Sequence, residues 1–183
     1  SVLQDLPDAK RAALEQCEYG AMSSAAFLVD KPSKEFFGEG VWRVPVVGMK
    51  TIGIGDPTFT FPDDMKRKDG HGLIRLYAGD DGSQTLQKMS DDGALDEFEK
   101  DLFDIFPPAR GRVLERALKH WPYAICPWRV GRLELIDDIR APHDNIHYCG
   151  DYTENSGLES AVLSAIRVVS ELANGHPPDA SAQ

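Results

Sequence analysis

Ile146-His-Tyr-Cys-Gly-Asp-Tyr-Thr-Glu-Asn-Ser-Gly-Leu-Glu-Ser-Ala-Val-Leu-Ser-Ala165 is the stretch on which the reading of this chain turns. A short apolar run, Ile146 to Cys149, predicts a strand, and Gly150-Asp151 a turn with an acid at its tip. Ser156 and Glu159 stand at capping-box spacing, with the Ser hydroxyl placed to accept from the third helical amide. From Gly157 to about Leu172 the sequence predicts a helix. Leu158, Ala161, Val162, Ala165, Val168, Val169 and Leu172 give it one apolar stripe. Ala161 and Ala165 would admit a closely packed sheet or cofactor. A helix start carries free amides and about half a positive charge. Gly157 puts no side chain in the way of a ligand there. An ordinary capped helix after a strand has the same outline, and physics alone favours that reading.

Outward from this block, the chain predicts a helix over Leu6 to Glu15 and a strand over Tyr19 to Val29. Phe36 to Val47, interrupted by Gly38 and Gly40, reads as a hairpin or broken strand, and Thr51 to Phe61 as extended. Asp63 to Gly70 is a charged loop containing the basic run Lys66-Arg67-Lys68. Leu73, Arg75 and Tyr77 alternate with Ile74 and Leu76 in a strand over His71 to Ala78. Leu95, Phe98, Leu102 and Ile105 recur at helical spacing, with Asp91 or Asp92 as cap. Val113, Leu114, Ala117 and Leu118 suggest a second helix after Pro107-Pro108. Trp121 to Trp128 is extended, and Pro122 and Pro127 keep it out of a sheet centre. The tail from His176 to Gln183 is polar and predicted to fray. The fold class is α+β, a mixed sheet with helices, followed by a terminal strand–helix unit.

The 183 residues suit one domain or two small lobes. Thirty acidic against twenty basic residues give a net charge of −10, which argues against nucleic acid as a partner. No run is long and apolar enough for a membrane span. The first residues do not read as a basic, apolar, small-residue leader, so nothing in them argues for secretion, and the expected location is cytoplasmic. A first residue Ser1 suggests a processed or excised piece. Cys17, Cys126 and Cys149 form no CxxC pair and are expected to be reduced thiols. His71, His120, His143, His147 and His176 lack zinc-site spacing, so no metal is expected. The pairs Asp80-Asp81 and Asp137-Asp138 read as solvated turn carboxylates, not a catalytic pair. No GxSxG, P-loop or kinase signature is present.

Cys149-Gly-Asp-Tyr-Thr153 and Ser156-Gly-Leu-Glu-Ser-Ala-Val-Leu-Ser-Ala165 resemble the C-terminal FAD motif of the flavin amine oxidase superfamily. That superfamily includes monoamine oxidases, protoporphyrinogen oxidases and phytoene desaturases, and Gly-Asp-Tyr-Thr is most similar to the desaturase branch. Trp121-Pro-Tyr-Ala-Ile-Cys-Pro-Trp128 resembles its Trp-containing segment leading to the flavin. Leu6-Pro-Asp-Ala-Lys10 and Tyr19-Gly-Ala-Met-Ser-Ser24 resemble its passage into the substrate domain. The resemblance implies an FAD-dependent oxidoreductase acting on a small-molecule substrate by hydride transfer to flavin N5. It implies that Gly150 lets the backbone approach the pyrophosphate and that Asp151 bonds the ribitol or phosphate side. Ser156, Gly157, Leu158 and Glu159 would form the helix start at the flavin O2 edge. Trp121 would border the ring, although a core tryptophan beside two prolines fits equally well.

On this resemblance residues 1–140 belong to a substrate-binding portion, 141–175 to the end of an FAD-binding domain, whose Rossmann-like fold the terminal strand–helix unit would complete, and 176–183 to a flexible tail. An N-terminal FAD-binding portion or subunit is then the expected partner. The chain departs from the pattern in three places. The N-terminal GxGxxG unit is absent, and Gly53-Ile-Gly55-Asp-Pro-Thr58 does not replace it. Ser24 stands where amine oxidases often carry a lysine. Gly157 stands where monoamine oxidases carry an aromatic wall. No catalytic residue follows from the sequence. These departures keep open a non-catalytic binding module of the same fold, or a structural α+β domain that mimics the motif.

Overall fold

The computed structural model describes residues 5–38, 42–61, 63 and 68–174. Gly40, Lys66, Arg67 and the tail from His176 lie outside the described residues. The chain divides into two compact units, one of residues 20–124 and the other of residues 1–19 with 125–183.

The larger unit is built on a five-stranded sheet. In chain order the strands are β1 (Gly20–Val29), β2 (Arg43–Pro45), β3 (Gly53–Gly55), β4 (Gly72–Gly79) and β5 (Val113–Ile125), arranged β2-β3-β4-β1-β5. The centre is the antiparallel pair β1–β4, in which Ala25 faces Leu76 and Phe27 faces Ile74. β4 alternates buried and half-exposed residues along its whole length, as its sequence predicted. One face of the sheet carries Ala25, Phe27, Val29, Ile54, Ile74, Leu76 and Ala78, all fully buried. Against it pack α3 (Asp80–Leu86) through Leu86 and α4 (Asp91–Ile105) through Ala94, Leu95, Phe98 and Leu102. A one-turn helix, α2 (Lys34–Phe37), closes one end, where Phe37 meets Phe106 edge-on at 5.0 Å.

Several elements differ from expectation. The segment after Pro107-Pro108 is strand β5, not a helix. It lies at the sheet rim, where no residue on either face is fully buried, so nothing demands the apolar–polar alternation that marks a half-buried strand. Pairing with β1 overrides the helical spacing of Val113 to Leu118. Pro122 lies within this rim strand, consistent with exclusion from the sheet centre. Phe36 to Val47 yields a helical turn and a three-residue strand instead of a hairpin. Thr51 to Phe61 is extended only at Gly53–Gly55, before a 3-10 turn at Pro57–Thr60. Asp80-Asp81 open α3 and Asp137-Asp138 lie in α5 (Ile136–Arg140), where acids suit the positive end of a helix. Ser90, not Asp91 or Asp92, caps α4, its Oγ accepting from Gly93 N at 3.2 Å.

A buried polar network joins three elements of this unit. Ser23 Oγ on β1 lies 2.7 Å from Ser83 Oγ on α3 and 2.7 Å from His120 Nδ1 on β5. Gln87 Nε2 donates to Ser83 Oγ and to the carbonyls of Met22 and Trp121.

The smaller unit contains α1 (Asp8–Glu15), α5, and α6 (Leu158–Asn174), with 3-10 turns at Arg132–Leu135 and Asp151–Thr153. Lys10 of α1 is buried and donates to the carbonyls of Asp138, Ile139 and Ala141 at 3.0, 3.0 and 2.6 Å. Its ammonium sits 3.6 Å from the centre of the Tyr148 ring. It thus fastens α1 to the C-terminal end of α5. Burial pushes this ammonium down to about 8 against the pull of Asp138, so it stays charged at neutral pH. The three cysteines are free thiols.

The expected strand Ile146–Cys149 is not formed among the described residues. Only a single bridge links His143 and Ile146. A strand persists by pairing, and no described segment offers Tyr148 or Cys149 a ladder.

Phe98→Ala should remove about 3–5 kcal/mol from the stability of the larger unit, since Phe98 fills the core between α4 and the sheet. Urea denaturation checks this. A loss below about 1 kcal/mol would mean that α4 does not seal that face.

Candidate cofactor site

The segment from Tyr148 to Glu154 has no ladder, and side chains hold it instead. Arg167 Nη2 donates to the Tyr148 carbonyl at 3.0 Å, Arg132 Nη2 to Tyr152 at 2.6 Å, and Arg140 Nε to Thr153 at 2.8 Å. Glu154 bridges two of these arginines, accepting from Arg140 at 2.5 Å and from Arg167 at 2.9 Å. Arg167 also pairs with Glu171 one turn on, at 2.9 Å. Such charge-assisted bonds are the strong ones, and here they converge on one loop.

Gly150 has φ 140°, a backbone state that strains any side chain. The space of a Cβ there is filled by Tyr152, whose Cε1 would lie 2.7 Å away. Both of its polar groups are used internally. Its amide donates to Ser164 Oγ at 2.8 Å and its carbonyl accepts from Thr153 Oγ1 at 2.8 Å. Ser164, fully buried on α6, passes the bond on to the Ala161 carbonyl. Asp151 accepts from the Tyr19 hydroxyl at 2.8 Å.

Burial first, and then the Asp151 hydrogen bond, push the Tyr19 hydroxyl above its ordinary 10.0. Tyr19 is 37% exposed, so the hydrogen bond is the firmer cause.

At the start of α6 the expected capping box is not made. Ser156 Oγ donates to the Cys126 carbonyl, and its own amide donates to Asn155 Oδ1 at 2.8 Å. Glu159 is exposed. A Ser hydroxyl engaged by another carbonyl is not aimed at the helix, so the first-turn amides keep no cap from Ser156. Gly157 has φ 135°, and a Cβ there would meet nothing within 4 Å. The helix start is therefore open.

The apolar stripe of α6 is also uncovered. The helix rests on its Ser164, Arg167, Val168 and Glu171 side, while Leu158, Val162, Ile166, Val169 and Leu172 are 57–89% exposed.

The structure thus brings Gly150, Asp151, Ser156, Gly157, Leu158 and Glu159 together in one unit. Trp121 belongs to the other, half-buried on β5. Gly53 and Gly55 lie in strand β3 before a single 3-10 turn, not in a phosphate-cradling loop ahead of a helix. The residues that sequence reasoning missed are Tyr19, Arg132, Arg140, Glu154, Ser164 and Arg167. Of these, only the spacing of Arg167 and Glu171 was visible locally. Among the described residues no group of His, Cys, Asp or Glu could hold a metal ion. No described helix is long and apolar enough to cross a membrane.

The fold is similar to that of solved oxidase structures. A structure described as a protoporphyrinogen oxidase from Exiguobacterium sp. 255-15 superposes with a TM-score of 0.69 at 22% identity, over 96% of this chain and 39% of its own. Putrescine oxidase bound to putrescine gives 0.71 at 14% identity, over 92% and 38%. A single-site variant of that oxidase, from a redesign of cofactor binding, gives 0.71 at 16% identity, over 93% and 39%. The chain therefore spans 38–39% of the length of these structures. No curated protein matches it. The family model for flavin containing amine oxidoreductases matches residues 1–173, and the chain belongs to that family, whose members use a flavin.

Two outcomes follow from the loop geometry. Ser164→Ala should cost about 1–3 kcal/mol by leaving the Gly150 amide buried without an acceptor, read by denaturation of the smaller unit. In tyrosinate titration by near-ultraviolet absorbance, Tyr19, Tyr148 and Tyr152 should ionise last, all held up by burial. Because Tyr19 keeps its proton longer when folded, its contribution to stability is whole below pH 10.0 and lost as pH climbs further. Tyr19→Phe should flatten that alkaline loss, and an unchanged slope would refute the role.

Proposed function

We propose that this chain is the C-terminal part of an FAD-dependent oxidoreductase that oxidises a small-molecule substrate. Residues 1–140 would contribute the substrate-binding portion and 141–175 the end of the FAD-binding domain. The observation that carries the reading is the start of α6. Its amides are free of a Ser156 cap, Gly157 leaves open space, and the apolar stripe beyond it is bare.

These features fit a flavin edge and a further protein portion. An amide-bearing helix end favours a ring edge that gains negative charge. A contiguous apolar face is rarely left to water in a finished protein. The proposed partner is an N-terminal FAD-binding portion or subunit, which would supply the absent GxGxxG unit and cover the bare face. Gly157, Leu158 and Glu159 would present amides to the O2 edge. Gly150 and Asp151 would lie on the pyrophosphate and ribitol side, held there by the arginines around the loop. Asp151 would act with its carboxylate already oriented by Tyr19. Trp121 would border the ring. When bound, FAD supplies a hydride acceptor at N5. The rival reading, a non-catalytic module retaining the fold, draws on Ser24, which accepts from Arg75 on the sheet and stands where a lysine is common.

The full-length protein, purified with any co-purifying chain, should be yellow with a flavin absorption spectrum. Gly157→Trp should abolish that colour, whereas Gly157→Ala, which strains the same φ without filling the space, should retain most of it. Circular dichroism would show that both variants are folded. Colourless protein that ignores added FAD beside an N-terminal partner would favour the non-catalytic module.

A further inference from the structure

The larger unit carries a second site, on the face of its sheet opposite α3 and α4. Strand register sets two rows there, Arg43–Gly55–Arg75–Ala26 and Pro45–Gly53–Tyr77–Ser24. Their neighbours Ile54, Leu76 and Ala25 point into the core and are fully buried. At the β3 positions of these rows stand the buried Gly53 and Gly55, the space over Gly53 taken by the Arg43 side chain and that over Gly55 by the Trp42 carbonyl. A cavity of about 240 Å³ lies at this point, lined by Trp42, Arg43, Asp56, Phe61, Arg75 and Tyr77 with Gly55 among them.

The two guanidiniums converge on one ring, Arg43 at 5.1 Å and Arg75 at 5.0 Å from the Tyr77 centroid. Arg43 reaches this place by lying over Gly53, where a Cβ would come within 3.1 Å of its Nε. Arg75 directs Nε to Ser24 Oγ at 2.8 Å, which leaves its two terminal nitrogens for another acceptor. Several other arginines of this acidic chain meet carboxylates, as Arg112, Arg116, Arg140 and Arg167 do. Arg43 and Arg75 make no ion pair among the described residues. The one carboxylate in the cavity wall, Asp56, accepts instead from Thr58 and Ser33.

Two planar forks beside three aromatic side chains suit an anion attached to an apolar body. Guanidinium pairs carboxylate in two-pronged fashion, and aromatic faces cover the remainder. We propose that this pocket binds the carboxylate of an organic acid, with the acid's apolar or aromatic body against Trp42, Phe61 and Tyr77. As a statement of substrate class it rests on the oxidoreductase reading above. As a binding site it does not.

The test is calorimetry on the full-length protein with 3-phenylpropionate, its uncharged amide 3-phenylpropionamide, and inorganic phosphate. The acid should bind and the amide should bind at least roughly tenfold more weakly, since a charge-assisted bond is worth about 1.5–3 kcal/mol. Arg43→Gln and Arg75→Gln should each weaken the acid by a similar factor. Arg43→Lys should fall between, keeping charge but losing the fork. The Arg43 side chain is exposed and makes no hydrogen bond to a described residue, so an unchanged melting temperature separates its effect from misfolding. Equal binding of acid and amide, undiminished binding by both Gln variants, or binding of phosphate alone would each overturn the proposal. The flavin spectrum of the same samples reports separately on the oxidoreductase reading.

Discussion

The smaller unit depends on guanidinium groups gripping backbone carbonyls. Tyr148 to Glu154 has no sheet to belong to among the described residues, and its carbonyls would otherwise be left to water or to nothing. Arg132, Arg140 and Arg167 arrive from three different places in the chain and take one carbonyl each, with Glu154 keeping two of them aligned. Ser164 adds the fourth tie, to the Gly150 amide. The position of α6 relative to this loop, and hence the open geometry at Gly157, follows from these bonds more than from apolar packing. Val168 and Ser164 are the only buried residues of the helix.

The larger unit rests on a different principle. There a row of small and branched residues on β1 and β4 meets Leu86, Phe98 and Leu102, and apolar burial does most of the holding. The polar network of Ser23, Ser83, His120 and Gln87 then fixes how β1, α3 and β5 sit against one another. Buried hydroxyls tolerate few alternative arrangements, because each must keep its partner. On the opposite face of the same sheet, Arg43 and Arg75 flank the Tyr77 ring, the Arg43 side chain lying over Gly53.

Where side-chain period and burial agree, the residues announce their structure. β4 alternates cleanly because both its neighbours and its helices are present, and α4 shows its core stripe at Leu95, Phe98 and Leu102. Rim strand β5 did not read as a strand, since neither of its faces is fully buried and several of its apolar residues, Leu114 and Tyr123 among them, are exposed without a period of two. Of the candidate cofactor site, the glycines and the helix start were legible, because they follow from local turn chemistry. Its supports were not. Tyr19 and Asp151 are 132 residues apart, and Arg132 meets Cys17 across 115, so no local pattern could pair them. Ile146 to Cys149 had strand composition without a described strand, for composition supplies no partner.

Pro122 has a consequence beyond its own strand. A rim strand of thirteen residues is a template on which another copy's strand could lay itself, edge to edge. At Pro122 there is no amide to donate, and the neighbouring Trp121 carbonyl already accepts from Gln87. An incoming chain would find its zipper broken there. A ladder added along this rim would lose a bond at that position.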